Sequence, residues 1–181
     1  MRLFVAVDVP DDIRDAIESE IVGELRDSVP GARWTRGEGR HLTLKFLGNV
    51  VEDRVEEIAS VLGDIAVRDA SFEARFAAVG GFPNVRRPRV LWIGVDEGSA
   101  ELSELARHVE AGLEPLGFEP EGWAFHGHLT LARFPSPRAI ELPDIDVRLR
   151  PFRVAEVVLF RSHLHPKGAR YEALRRFALG G

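Results

Sequence analysis

The chain has 181 residues with 45% hydrophobic content, enough to bury the core of one sizeable domain or two small, intimate lobes. It has no cysteine, which excludes disulfides, thiolate metal sites and cysteine nucleophiles. A net charge of −5 at pH 7 argues against broad coating of long nucleic acid, but leaves room for one nucleic-acid end held in a local basic pocket.

Leu3 to Val7 reads as a buried strand, short, apolar and ended by Asp8 and Pro10. The chain opens on this strand without a signal-peptide pattern, and no run approaches the roughly 18 apolar residues of a membrane span. Cytoplasm is the expected location. Asp11 or Asp12 caps a helix to about Asp27, with Ile13, Ile17, Ile21 and Leu25 as its core stripe. An extended segment over Ala32 to Arg36 and a turn at Gly37 to Gly39 lead into a strand from His41 to Leu47. Val51 to Leu62 is a second amphipathic helix, and Phe72 to Val79 alternates as a strand. Gly80 to Asn84 reads as a loop, followed by Arg86, Arg87 and Arg89, then by a buried strand from Val90 to Val95. A helix over Glu97 to Leu116 points Leu102, Leu105, Val109 and Leu113 inward. A further strand covers about Ala124 to Arg133, and Phe134-Pro135-Ser136-Pro137 breaks it. After irregular chain from Ile140 to Asp146, strands are expected at Val147 to Phe152 and Val154 to Phe160. A turn-rich loop from Ser162 to Ala169 precedes a last strand from Arg170 to Leu179.

One tetrapeptide occurs twice. His41-Leu42-Thr43-Leu44 returns letter for letter as His128-Leu129-Thr130-Leu131, 87 residues on. Side chains on a strand alternate faces, so each copy puts histidine and threonine on one face and two leucines on the other. The leucines suit a core and the polar pairs suit a cleft. The same offset lays Arg2-Leu3-Phe4-Val5 on Arg89-Val90-Leu91-Trp92 and the first long helix on the third. Each half then reads strand, long helix, loop, motif strand, as an old duplication would leave it. The expected fold is α+β, a single domain over 1–181 made of two pseudo-symmetric lobes. Each lobe is an antiparallel sheet backed by helices, and a central cleft lies between them.

Two facing histidines suit concerted acid–base catalysis, since with pKa values near 6.5 one imidazole is neutral while the other carries a proton. Displacement at a phosphodiester needs such a pair: one imidazole activates water and the other protonates the departing oxygen. The hydroxyls of Thr43 and Thr130 donate to non-bridging phosphate oxygens. A zinc site would need a nearby acid beside the histidines, and neither motif has one at ligand spacing. His163 and His165 alternate without a following threonine and read as loop residues. His108 reads as an exposed helix residue, and His126 shares the parity of His128. Trp34 and Phe46 are assigned to the core, while Tyr171 is open between core and base stacking.

These strings resemble the 2H phosphoesterase superfamily, defined by two His-x-Thr-x motifs. Within it they resemble the RNA 2′,3′-cyclic phosphodiesterases, also called 2′-5′ RNA ligases. The likeness spans Arg2 to Asp8, His41 to Gly48, Gly81-Phe82-Pro83 with Pro88 to Trp92, His128 to Arg133, Ser162-His163-Leu164 and Gly168 to Tyr171. Where the family commonly has proline before the second histidine, this chain has Gly127. The resemblance implies hydrolysis of an RNA 2′,3′-cyclic phosphate end to a 2′-phosphomonoester, with no metal and no cofactor. It implies His41 as proton donor, His128 as proton acceptor, and Thr43, Thr130 and Arg133 as substrate-binding residues. Strict alternation puts Arg133 on the leucine face, so it reaches the cleft only through a bulge or twist. The implied partner is RNA ending in a cyclic phosphate, tRNA-like fragments included, acted on by a monomer away from membranes. Reverse use as a 2′-5′ ligase, action on small cyclic nucleotides or ADP-ribose cyclic phosphate, and an RNA-end binding module stand as alternatives.

Overall fold

The computed structural model describes residues 1–137, 139–165 and 169–180, with Glu38 as backbone alone. The stretch 166–168 of the expected 162–169 loop lies outside the described residues. Two four-stranded antiparallel sheets dominate. In the first, β1 (Arg2–Asp8) lies between β3 (His41–Asn49) and β9 (Glu156–His163), with β10 (Arg170–Ala178) outside β9. In the second, β6 (Val90–Val95) lies between β5 (Phe76–Phe82) and β7 (His128–Arg133), with the short β2 (Arg33–Trp34) outside β7. A small pair, β4 (Phe72–Ala74) with β8 (Phe152–Val154), stands apart.

β1 is apolar on both faces because both are covered. Leu3, Val5 and Val7 join the main core, while Phe4 and Ala6 join Val158 and Phe160 on the opposite face. The first helix runs in three consecutive stretches, Asp11–Ala16, Ile17–Val22 and Gly23–Ser28, the middle one wound as a π-helix. Ile13, Ile17, Ile21 and Leu25 all face the core. A second helix, Val55–Arg68, packs on β9, β10 and a third helix, Ser99–Leu113. The second helix continues past Leu62 because Ile65 and Ala66 prolong its buried stripe. No helix among the described residues is long and apolar enough to cross a membrane.

The duplication is visible in strand register. Ala6 pairs with Thr43 and Val5 with Lys45, so Leu44 is an extra residue in β3. In the second sheet Trp92 pairs with Thr130 and Leu91 with Ala132, so Leu131 is extra at the matching place. Both motif strands therefore carry a β-bulge directly after the threonine. The repeat differs from the expected alignment by one residue. The motif strands superpose at an offset of 87, but Val5 answers to Leu91 and Ala6 to Trp92, an offset of 86. The faces require this: Val5 and Leu91 both lie in the main core, whereas an offset of 87 would match core Val5 to Trp92, whose ring lies 6.1 Å from that of His128 instead of in the core.

Other expected boundaries move as well, and Ser162 and His163, expected in a loop, end β9. Gly80, Gly81 and Phe82 belong to β5 rather than to a loop. A Cβ on Gly80 would lie 2.2 Å from the Trp92 ring and one on Gly94 would lie 2.9 Å from it. These glycines make room for an indole across the sheet instead of turning the chain. The second motif strand starts at His128, not near Ala124, because β6 ends where Val95 N–H bonds Gly127 O at 3.0 Å. Residues 147–151 form no ladder; Leu149 is buried and Val147 packs on the core without a partner strand.

Candidate active site

A cleft of about 950 Å³ opens between the sheets. His41 and Thr43 enter it from β3, His128 and Thr130 from β7, and β3 and β7 approach one another there. Leu42, Leu44, Leu129 and Leu131 point the other way into the core. Arg133 also lines the cleft. The bulge brings it there: Leu131 and Ala132 are both buried, two consecutive inward residues, and the next side chain emerges on the histidine face. In β3 the same irregularity buries Leu44 and Lys45 in succession and turns Phe46 outward, 58% exposed, into the cleft wall. The expectation that Phe46 belongs to the core is thus corrected, and by the same backbone feature that delivers Arg133.

His41 sits in an aromatic cage. Its ring centroid lies 4.7 Å from Phe4, 5.0 Å from Tyr171 in an edge contact, and 5.7 Å from Phe160. Burial pushes its pKa down from 6.5 to about 4, and the positive charges of Arg133 and Arg14 press the same way while Asp8 opposes them. Asp8 is the cross-strand neighbour of His41, and its carboxylate accepts from Arg14 at 2.8 Å and from Arg176 at 3.0 Å.

His128 is set differently. Phe82 lies 5.0 Å from its ring, His126 5.9 Å and Trp92 6.1 Å. Its Nδ1–H donates to the His126 carbonyl at 2.7 Å. A carbonyl only accepts, so this bond places the proton on Nδ1 and leaves Nε2 with the free lone pair. Burial lowers its pKa; the bond to the His126 carbonyl works against that, while the nearby His126 and Arg133 add to it. Both imidazoles are therefore neutral in the free protein near pH 7.

Other residues fall outside the cleft or inside it unexpectedly. The backbone N–H groups of Arg86 and Arg87 bond Asn84 Oδ1, and Arg86, Arg87 and Arg89 do not line the cleft. His163 faces Glu172 at 2.8 Å. His108 is half-buried and bonds Asp69 at 2.7 Å, rather than standing exposed. Trp34 is half-buried with the Arg26 guanidinium 5.5 Å over its ring. Two cations missed by the sequence reading are fully buried. Lys45 donates to Glu119 O at 2.7 Å; Arg40, directly before His41, donates to Arg14 O at 3.1 Å and to Thr35 O at 3.3 Å and pairs with Glu18. Nothing in alternation announces them, because Lys45 is buried by the bulge. Among the described residues no group of three or more His, Asp or Glu side chains is placed to hold a metal ion.

The model of the LigT like phosphoesterase family matches the chain twice, over residues 7–92 and again over 93–171. The chain belongs to this family. The two LigT-like matches divide beside Trp92, inside the strand where the structural repeat begins. Curated relatives agree over the full length. The RNA 2′,3′-cyclic phosphodiesterase of Archaeoglobus fulgidus is 38% identical over 187 residues, covering 98% of this chain and 99% of the relative. That of Thermus thermophilus is 36% identical, covering 100% and 91%. Among solved structures, Thermus thermophilus TT0787 superposes with a TM-score of 0.86 at 34% identity, covering 100% of this chain and 99% of the other. E. coli LigT complexed with 3′-AMP gives 0.82 at 28% identity, covering 98% and 97%.

Proposed function

We propose that this LigT-like chain opens the 2′,3′-cyclic phosphate at an RNA end to a 2′-phosphomonoester. In the reaction, His128 Nε2 takes a proton from water as the water oxygen bonds to phosphorus. The bond from phosphorus to O3′ breaks, and His41 supplies the proton that O3′ takes up. The hydroxyls of Thr43 and Thr130 and the guanidinium of Arg133 hold the non-bridging oxygens, whose charge grows in the transition state. The exposed ring of Phe46 offers a face to the terminal base. The chemistry needs no metal, because a strained cyclic ester is already a good electrophile.

The observation that carries this reading is the convergence of both His-x-Thr pairs and Arg133 on one cleft, with the tautomer of His128 set for a base. The names of the curated relatives and the mononucleotide bound to E. coli LigT support the substrate class. His41 needs a proton to act as donor, and in the free protein its pKa is low. An anionic phosphate seated on Arg133 removes one cause of that lowering and adds an attractive charge, so substrate binding itself raises the His41 pKa.

The test is a panel of RNA oligomers ending in 2′,3′-cyclic, 2′- or 3′-phosphate, with products separated. A 2′-phosphate formed from the cyclic end alone is expected. A 3′-phosphate product would overturn the assignment of leaving oxygen.

A further inference from the structure

We propose that Trp123 and the loop carrying it form a subsite for the nucleotide immediately 5′ of the cyclic phosphate, so that the chain prefers an RNA end to a free cyclic mononucleotide. This rests on the function proposed above.

Trp123 lines the catalytic cleft and is 75% exposed. The other two tryptophans are engaged: Trp92 lies 4.6 Å from His126 and 5.3 Å from Phe82, and Trp34 lies under Arg26. Among the described residues, four of the seven exposed large hydrophobics, Phe46, Phe82, Trp123 and Leu164, border this one cleft. Exposed apolar surface gathered at one place marks a binding surface.

The Trp123 loop is pinned in place. Lys45, its side chain 1% exposed, donates to Glu119 O at 2.7 Å and lies 3.5 Å from Glu110. Glu110 in turn accepts from the backbone N–H of Glu121 at 2.8 Å. A buried ammonium is costly unless paired, and here its partners hold the loop two and four residues before Trp123. The bulge in β3 turns Lys45 inward and Phe46 outward, so this clamp binds the Trp123 loop to the strand segment that presents Phe46. The result is a second aromatic face on the same cleft as Phe46, carried by a loop whose backbone is anchored before substrate arrives.

The chemistry of that face selects a nucleobase. Every base has a π surface, so stacking serves any sequence. Arg2, on the same face of β1 as Phe4 and also lining the cleft, supplies a cation for the phosphodiester joining the two nucleotides. At about 950 Å³ the cleft stands near the top of the roughly 300–1,000 Å³ range of small-molecule sites, with room for more than one nucleotide.

The test compares kcat/KM for a cyclic mononucleotide and for a dinucleotide ending in the cyclic phosphate, in the wild type, Trp123→Ala and Trp123→Phe. The wild type should favour the dinucleotide about 5- to 150-fold, the range expected for one stacked base. Trp123→Ala should remove most of that advantage, chiefly through KM, leaving only what the Arg2 contact to the phosphodiester contributes, and Trp123→Phe should keep most of it. An abasic upstream nucleotide, which keeps the phosphodiester but not the base, should lose the same share of the advantage as Trp123→Ala does. A wild-type ratio near one, or a ratio unchanged by Trp123→Ala, would overturn the subsite. If neither substrate turns over, the proposed function fails, and the subsite is then judged from affinities for the dinucleotide and mononucleotide 2′-phosphates, where the same ratio and the same loss in Trp123→Ala are expected.

Discussion

The two halves of this molecule share a tetrapeptide, a strand pairing and a bulge, yet they put opposite chemistry at equivalent points. Five residues after His41 the bulge presents Phe46, an apolar ring; five residues after His128 it presents Arg133, a cation. His41 is caged by Phe4, Phe160 and Tyr171, whereas His128 has Nδ1 tied to the His126 carbonyl. Duplication supplied a symmetric frame, and in the proposed reaction the differences hung on it would separate an acid from a base. A symmetric reaction coordinate would need neither.

The largest effects should come from the imidazoles. His41→Ala and His128→Ala should each lower kcat by about 10²–10⁴-fold while circular dichroism shows the fold intact. The double variant should fall little further than the worse single one, because the two groups act as a unit. Multiplicative losses would break the picture of a concerted pair. Next comes Arg133→Met. A hydrogen bond to a charged group is worth about 1.5–3 kcal/mol, so kcat/KM should drop roughly 10- to 150-fold. Because Arg133 depresses both imidazoles, both limbs of the pH profile should also move to higher pH. Phe46→Leu, the matching change in the other half, should leave the pH profile in place. Parallel pH shifts in both variants would contradict the division of labour.

A smaller effect separates free from bound protein. With the pKa of His41 lowered in the free protein, kcat/KM should decline once pH exceeds the pKa values of both imidazoles, whereas kcat, measured with phosphate bound, should persist to higher pH. Superposable profiles would show that substrate does not recharge His41. The same lowering acts on stability. The unfolded chain holds the extra proton below pH 6.5 and the folded chain only below about 4. Stability should therefore be constant above pH 6.5 and be lost progressively as pH falls toward 4. Urea melts of the wild type and of His41→Asn across that window should show a shallower decline in the variant.

Much of this was legible in the sequence. The repeated His-Leu-Thr-Leu, read with strand alternation, places both histidines and both threonines on the cleft face and all four leucines in the core, as the structure has them. Alternation fails at the next residue in both halves, because a bulge inserts one position and reverses the faces of the residues that follow it. Phe46, Lys45 and Arg133 all lie beyond that point, and none of the three could be oriented by period alone. Gly80 misled for another reason. A glycine suggests a turn, and the need it meets here, a tryptophan lying across the sheet from β6, is a contact between separate strands. Arg40 and the Lys45 clamp likewise depend on partners 26 and 74 residues away, beyond the reach of any local pattern.

The most direct test of the acid–base division uses a cyclic substrate whose 3′ bridging oxygen is replaced by sulfur. A thiolate leaves without a proton, so this substrate no longer needs the acid but still needs the base. His41→Ala should hydrolyse it at a rate within about tenfold of the wild type, whereas His128→Ala should keep its loss of about 10²–10⁴-fold. Rescue of His128→Ala, with His41→Ala still inactive, would reverse the two roles; equal behaviour of the two variants would contradict the division altogether.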